Sequence, residues 1–332
     1  VTGGYLSQTT MKTESIENSA NASNPVDFAV TPTADGATIA TENYVNNKPS
    51  GFKNLIINGD MRIAQRGTSI GPSLSSNQYL LDRWFIGGST SNLTITQESD
   101  VAINGTINNT FKATASGDAS LDVYQAIEDW RLLSGKTVTI SFWYRTNATG
   151  FILRHYNTAD VATIDNTNET WTYFTTTYTF GTTVSNPRSA NGGTIGFWKK
   201  NGGVLTSGEY LEFTNYQIEL GSVATPFEQR PYGLELSLCQ RYYEVVGKAT
   251  VAGDEVRYSM NLGSSTTTHY YTHTISEKRT NPSISYNVNY SDNITVTGAS
   301  AGTNLVTFYM TPSGASDTRA LCEFTFVADA EL

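Results

Sequence analysis

Residues 210–220 read Tyr-Leu-Glu-Phe-Thr-Asn-Tyr-Gln-Ile-Glu-Leu, and residues 233–246 read Gly-Leu-Glu-Leu-Ser-Leu-Cys-Gln-Arg-Tyr-Tyr-Glu-Val-Val. In the first segment Leu211, Phe213, Tyr216 and Ile218 sit among Glu212, Thr214, Asn215, Gln217 and Glu219. That alternation predicts a half-buried strand. Gly221 to Pro226 break it. In the second segment Leu234, Leu238, Tyr242 and Val245 fall at helical spacing, which predicts a helix over 233–246. A strand that closes one β region therefore hands over to a helix that opens another. A helix this short is unstable alone, so its apolar stripe must pack on a neighbouring sheet.

The rest of the chain supports an all-β fold. Among 332 residues only 15% are charged, against a usual quarter or so, and Gly and Tyr are abundant. Upstream of the junction, strands are expected at Leu93 to Gln97, Thr137 to Arg145, Phe151 to His155, Trp171 to Phe180 and Thr194 to Trp198. Downstream, Val256, Tyr258, Met260 and Leu262 share one predicted strand face. So do Ile284, Tyr286 and Val288, and Cys322, Phe324, Phe326 and Ala328. The two cysteines, Cys239 and Cys322, sit in apolar patterns far apart and read as buried thiols. Residues 1–50 are polar and cannot bury a core alone. Gly3-Gly4 and Asp35-Gly36 mark turns there.

Charge excludes some partners. A net charge of −9 and a pI near 4.9 argue against nucleic acid, which is bound through basic patches. They argue equally against an anionic membrane surface. No run of about 18 apolar residues occurs, so no membrane insertion by a helix is expected.

Several phrases together carry a resemblance. Asn54 to Gly59 followed by Ile63-Ala64-Gln65-Arg66-Gly67, then Asp82-Arg83-Trp84, open the region. Gln217 to Ser222, Ala224 to Glu228 and Leu236 to Tyr243 close it. In this order they resemble the carbohydrate-binding-module-like jelly-roll domain of tailed-bacteriophage tail-fibre and receptor-binding proteins, over roughly residues 52–245. Asp60-Met61 departs from that family's pattern. The resemblance implies an N-terminal attachment and shaft segment (1–50), a jelly-roll β-sandwich (51–232) and a C-terminal β-sandwich tip domain opening with a helix (233–332). It implies a homotrimer in the virion's tail fibre. That trimer would be held to other tail or baseplate proteins through residues 1–50 and would adhere to a host surface polysaccharide or lipopolysaccharide. The alternatives are a structural virion component (head fibre, collar or baseplate adaptor) and a polysaccharide-depolymerising tailspike.

Aromatic side chains are the candidate ligand groups, because their rings stack on the C–H faces of sugars while polar neighbours meet hydroxyls. Trp84 reads as core. Trp143 lies on the polar face of its predicted strand and reads equally as core or ligand contact; Trp130, after Glu128-Asp129, is as open. His269, Tyr271 and His273 would share one strand face as a receptor-contact stripe, or as an exposed or trimer-facing strand. On a three-fold axis, His273 could bind a metal or anion. No resident cofactor is expected. A structural calcium ion would need hard oxygens, for which Asn58, Asp60 and Glu219 are available. The adjacent pairs Glu128-Asp129 and Asp254-Glu255 point to opposite strand faces, so they do not make a glycosidase pair. No nucleophile elbow, P-loop or zinc-protease motif occurs, and the chain reads as a non-enzyme.

Overall fold

The computed structural model describes residues 33–34, 37–38, 52–72, 78–87, 91–155, 159–165, 168–184, 193–199, 204–247, 255–261, 267–313 and 319–331. Two compact units divide the chain, Val1–Ser50 and Gly51–Leu332. In the first, β1 (Thr33–Ala34) pairs antiparallel with β2 (Ala37–Thr38), and the expected turns at Gly3-Gly4 and Asp35-Gly36 lie outside the described residues. The remainder of the expected shaft lies outside the described residues.

The second unit is nearly all β. Its first half holds β3 (Ser69–Ile70), β4 (Gln78–Tyr79), β5 (Phe85–Gly87), β6 (Leu93–Ile103), β7 (Thr106–Ala115) and β8 (Asp122–Ala126). A 3-10 turn at Trp130–Leu133 precedes β9 (Thr137–Thr146), β10 (Phe151–His155), β11 (Ala159–Ile164), β12 (Thr172–Thr179), β13 (Thr194–Lys199) and β14 (Tyr210–Leu220). These form two six-stranded antiparallel sheets, ordered β11-β10-β13-β8-β5-β4 and β12-β9-β14-β7-β6-β3. From β7 to β14 the chain crosses between the sheets at every step except the β10–β11 hairpin. The inward faces of both sheets meet in one apolar core, the hallmark of a sandwich. Aromatic rings bridge the gap: Phe197 of β13 stands 4.5 Å from Phe213 of β14 and 4.9 Å from Phe142 of β9, centroid to centroid. Trp84 sits edge-on to Phe213 and Tyr216, fully buried, as its core reading required. Its indole N–H donates to the Asn58 carbonyl (2.9 Å), which satisfies the ring's polar edge.

The parity of β14 slips between Phe213 and Tyr216. The structure answers with a β-bulge between Thr214 and Gln217, where Asn215 takes a left-handed backbone (φ 51°). The extra residue lets Phe213 and Tyr216 both face the core.

Conserving hydrogen bonds explains the opening phrase. Asn54 Oδ1 accepts from the N–H groups of Ile56 (3.0 Å) and Ile218 (3.1 Å), and its Nδ2 donates to the Tyr216 carbonyl. Gln125 pairs with both the N–H and the C=O of Ile57. Gly59 packs so closely on β14 that a Cβ would lie 2.2 Å from the Tyr216 carbonyl oxygen. These contacts tie the irregular opening segment to the sandwich and give its bonded backbone groups partners.

The helix is shorter than the spacing predicts. α1 spans Tyr232–Gln240, and Tyr243–Val246 is a strand, β15. The buried face also differs: Glu235, Cys239 and Tyr242 point inward, whereas Leu234 and Leu238 are only half-buried. Glu235 is drawn inside by the buried Arg230 (3.2 Å), and Cys239 and Tyr242 pack on Ile57 and Ile63 of the opening segment. A charge partner and an edge strand thus override the periodicity.

The second half adds β16 (Val256–Asn261), β17 (His269–Thr274), β18 (Ser283–Asp292), β19 (Ile294–Ala301), β20 (Leu305–Pro312) and β21 (Arg319–Asp329). β15 and β16 pair in succession along one edge of β21, and β18 pairs along the other. β17-β20-β19 form a separate three-stranded sheet. Val306, Phe308 and Met310 of β20 meet Cys322, Phe324, Phe326 and Ala328 of β21 in a second core. Both cysteines are free and buried, as expected. Ile284 and Tyr286 pack on this core, but Val288 is 36% exposed, next to the β18 bulge between Val288 and Tyr290.

Two arginines stitch the halves together. Arg83, 2% exposed, stacks on Tyr242 (3.4 Å to the ring centroid) and pairs with Glu331 (2.6 Å). Arg66 lies 3.5 Å over the Tyr243 ring and within 3.7 Å of Asp82. Burial pushes the Asp82 carboxyl up to about 6, against the pull of Arg66.

Candidate functional site

A cleft opens on the outer, solvent side of the β12-β9-β14 sheet. The registers set its floor. Trp143 of β9 lies opposite Tyr173 of β12 on one side and Thr214 of β14 on the other, and Ser141 lies opposite Thr175 and Gln217. Side chains of one parity on β9 point out of the sandwich, so Ser141 and Trp143 share this face while Phe142 and Tyr144 enter the core. The rings of Trp143 and Tyr173 are 5.4 Å apart and tilted by 51°. Tyr173 is 44% exposed on its edge strand.

The opposite wall is the loop after β14. Ala224, Thr225, Pro226 and Phe227 line the cleft with Ser141, Trp143, Tyr173 and Asn215, around about 370 Å³. Two buried polar side chains of β14 hold that loop. The Glu219 carboxylate accepts from Thr225 N–H and Oγ1–H, both at 2.8 Å, and from Gln217 Nε2 (2.9 Å). Gln217 Oε1 accepts the Glu228 N–H (2.8 Å). Lys53 Nζ adds bonds to Thr225 Oγ1 and the Pro226 carbonyl. Fully satisfied, this buried network fixes the wall rather than weakening it. A second recess of about 220 Å³ adjoins the cleft and shares Asn215 and Phe227 with it. Asp60 lines this recess, and burial raises its carboxyl to about 6 against the opposing Arg62 (2.9 Å).

The structure brings one of the five sequence candidates, Trp143, to this cleft. Trp130 begins the 3-10 turn, half-buried against the sandwich core with Arg131 stacked 4.6 Å over it, and it lines neither recess. His269, Tyr271 and His273 do share one strand face. That face turns toward the second core: Tyr271 meets Phe324 and Tyr258, and His273 sits edge-on to Phe326 at 5.4 Å. Burial lowers the His273 imidazole. The open face of that strand carries Tyr270, Thr272 and Thr274 instead. Of the expected calcium ligands, Asn58 spends its amide on Ile63 and Asp82 backbone, and Glu219 is engaged with the loop. Among the described residues no group of three or more His, Cys, Asp or Glu is placed to hold a metal. Glu128 pairs with Arg241 (2.6 Å), and Asp254 lies outside the described residues.

Sequence reasoning missed Tyr173, Asn215 and Phe227. Tyr173 meets Trp143 only through strand register, which the sequence does not print. Asn215 did leave a signal, the parity slip between Phe213 and Tyr216.

No family model and no curated protein matches the chain. Solved structures offer distant likenesses. A protein of Bacteroides thetaiotaomicron with a proposed sugar-binding role aligns at TM-score 0.31 and 12% identity, over 51% of this chain and 100% of its own. The xylan-binding CBM22-1 domain of Paenibacillus barcinonensis Xyn10C aligns at 0.29 and 13%, over 47% and 94%. The CBM61 module TmCBM61, solved with β-1,4-galactotriose, aligns at 0.26 and 12%, over 44% and 100%. Likeness at these scores assigns neither ligand nor activity to this chain.

Proposed function

We propose that this protein is a non-catalytic glycan-binding protein, with the Trp143–Tyr173 cleft as its sugar site. One observation carries the reading: two adjacent aromatic rings stand on the outside of a sandwich, beside a loop that a buried network holds rigid. Rings so placed are not needed for the core. They offer flat apolar surface to a pyranose face, with amide and hydroxyl groups of Asn215, Ser141 and Thr225 at the rim. Hydrolysis of a glycosidic bond calls for two carboxyl groups about 5–10 Å apart across the substrate. Asp60 is the one carboxylate lining the two recesses among the described residues.

The finer assignment is the receptor-binding part of a bacteriophage tail fibre that attaches the virion to a host surface polysaccharide or lipopolysaccharide. Its support is the ordered set of sequence phrases from Asn54 to Tyr243. Trimerisation would multiply weak sites into useful avidity.

Affinity electrophoresis of the full chain against a panel of bacterial surface polysaccharides tests the reading. Trp143→Ala should weaken binding at least about tenfold, since truncating a central aromatic anchor removes its stacking surface. Undiminished binding by a folded Trp143→Ala protein overturns the cleft as the site. Adsorption of the labelled protein to bacterial cells, and its competition with phage infection, tests the tail-fibre assignment separately.

A further inference from the structure

The second recess differs in chemistry from the first. The described residues around it include Asp60, Arg62, Asn108, Asn109 and Gln229, with Asn215 and Phe227 common to both recesses. Asn108 is committed: its Oδ1 accepts from Asn215 Nδ2 (3.0 Å) and its Nδ2 donates to Thr106 O. Asn109 and Gln229 make no side-chain hydrogen bond within the described protein. Each offers a donor and an acceptor on one planar group. Asp60 is only 8% exposed, yet its Oδ1 has no hydrogen-bond partner among the described residues. A buried acceptor left without a donor carries a desolvation penalty that a ligand hydroxyl can relieve.

Charge narrows the ligand further. Among the described residues Arg62 is the one cation on these walls, and its charge is paired. Its Nε faces Asp60 Oδ2 at 2.9 Å, and its Nη2 donates to the Arg230 carbonyl. Among the described residues the walls of the first cleft carry no charged side chain. Among the described residues no positive group without a counter-charge is left to meet a uronate, phosphate or sulfate, because the Asp60–Arg62 pair is neutral as a whole.

We infer that the two recesses are lobes of one groove that holds a neutral, hydroxyl-rich polysaccharide chain over more than one sugar residue. Trp143 and Tyr173 stack on a ring in the first lobe. Asn109, Gln229 and Asp60 read hydroxyl pairs in the second and set specificity. The inference rests on the glycan-binding reading of the Trp143 cleft and adds to it the second lobe and the charge class of the ligand.

The test uses the full chain and two immobilised sets of polymers: neutral glucomannan, dextran, galactan and xylan, and anionic polygalacturonate, alginate and dextran sulfate. An oligosaccharide series from whichever polymer binds follows, by titration calorimetry. The expected result is binding confined to neutral polymers, with affinity rising beyond the disaccharide. Asn109→Ala and Gln229→Ala should each lose roughly three- to tenfold on the longest oligosaccharide, the effect of one or two hydrogen bonds, and should flatten the length dependence. An unchanged urea midpoint separates that loss from unfolding. Binding to anionic polymers alone overturns the inference. Wild-type affinity in both variants, alongside a loss in Trp143→Ala, overturns the second lobe and leaves the glycan-binding reading standing. Absence of wild-type binding to every polymer removes that reading and the inference with it.

Discussion

β14 and β21 are both eleven residues long, both lie inside their sheets, and both alternate in sequence. Their outer faces are opposites. Along β21 the residues that face away from the core, Glu323 and Thr325 among them, remain partly open to water. Along β14 the outward residues Glu212, Thr214, Gln217 and Glu219 are as buried as the inward ones. The loop at 221–228 covers one end of that face, and Arg145 covers the other, bonded to Glu212 at 2.8 Å. A strand whose polar face is covered must have every polar atom answered from within. The comparison teaches that the groove wall is built by burying polar groups, not apolar ones. Alternation alone does not distinguish a strand that faces water from one that anchors a binding loop.

The sharpest test of that comparison begins with what the strands share. Phe213→Ala and Phe324→Ala should each cost about 3–5 kcal/mol, because both leave a cavity among packed rings. Urea unfolding measures both; a cost under about 1 kcal/mol for either would break the equivalence of the inward faces. The outward faces should then diverge. Glu219→Ala strands the Thr225 and Gln217 donors and should cost about 2–3 kcal/mol. Glu323→Ala removes a partner from Arg257, whose side chain is 62% exposed, and should stay within about 0.5 kcal/mol. Equal costs would remove the distinction between the two strands.

The smallest effects separate the two regions by pH. In the sandwich, burial raises Asp60 and Asp82 to about 6 from the usual 3.8. The folded state therefore holds these protons more tightly than the unfolded chain. Their stabilising contribution is complete below about pH 4 and is lost as pH rises through about 6. His273, in the second core, shifts the other way: burial lowers it from 6.5. Its contribution is present above pH 6.5 and declines as pH falls below it. Urea midpoints recorded from pH 4 to 7 should thus respond oppositely to two substitutions. Asp60→Asn should remove part of the gain in stability on acidification, and His273→Gln part of the loss. A shared sign would show that one of the two environments is misassigned.

Much of the fold was legible. Phe151–His155 and Tyr210–Leu220 fall at the expected bounds, and Thr137–Thr146 ends one residue beyond. Their apolar residues repeat with a period of two, and burial of one face enforces it. The helix was legible in place but not in length, because Tyr243 to Val246 find a partner in β21 that no local spacing reveals. Short strands such as Phe85–Gly87 carried too few residues for a period to show. Of the cleft, Trp143 stood out as an aromatic residue on a polar face. Tyr173 did not, since edge-strand tyrosines are common and only register made it a neighbour.

Residue order alone dictates an all-β chain with one short helix, the inward faces of its main strands and the pattern of phrases that close the sandwich. Those are local properties: side-chain parity, turn residues and the chemistry of adjacent positions. Folding in three dimensions settles which outward faces are covered, that Glu219 and Gln217 hold a loop against β14, and that Trp143 and Tyr173 share a cleft with Phe227. Those outcomes depend on contacts between segments tens of residues apart. The free energy that selects them, burial of polar groups with all their hydrogen bonds met, exists only once the segments have come together.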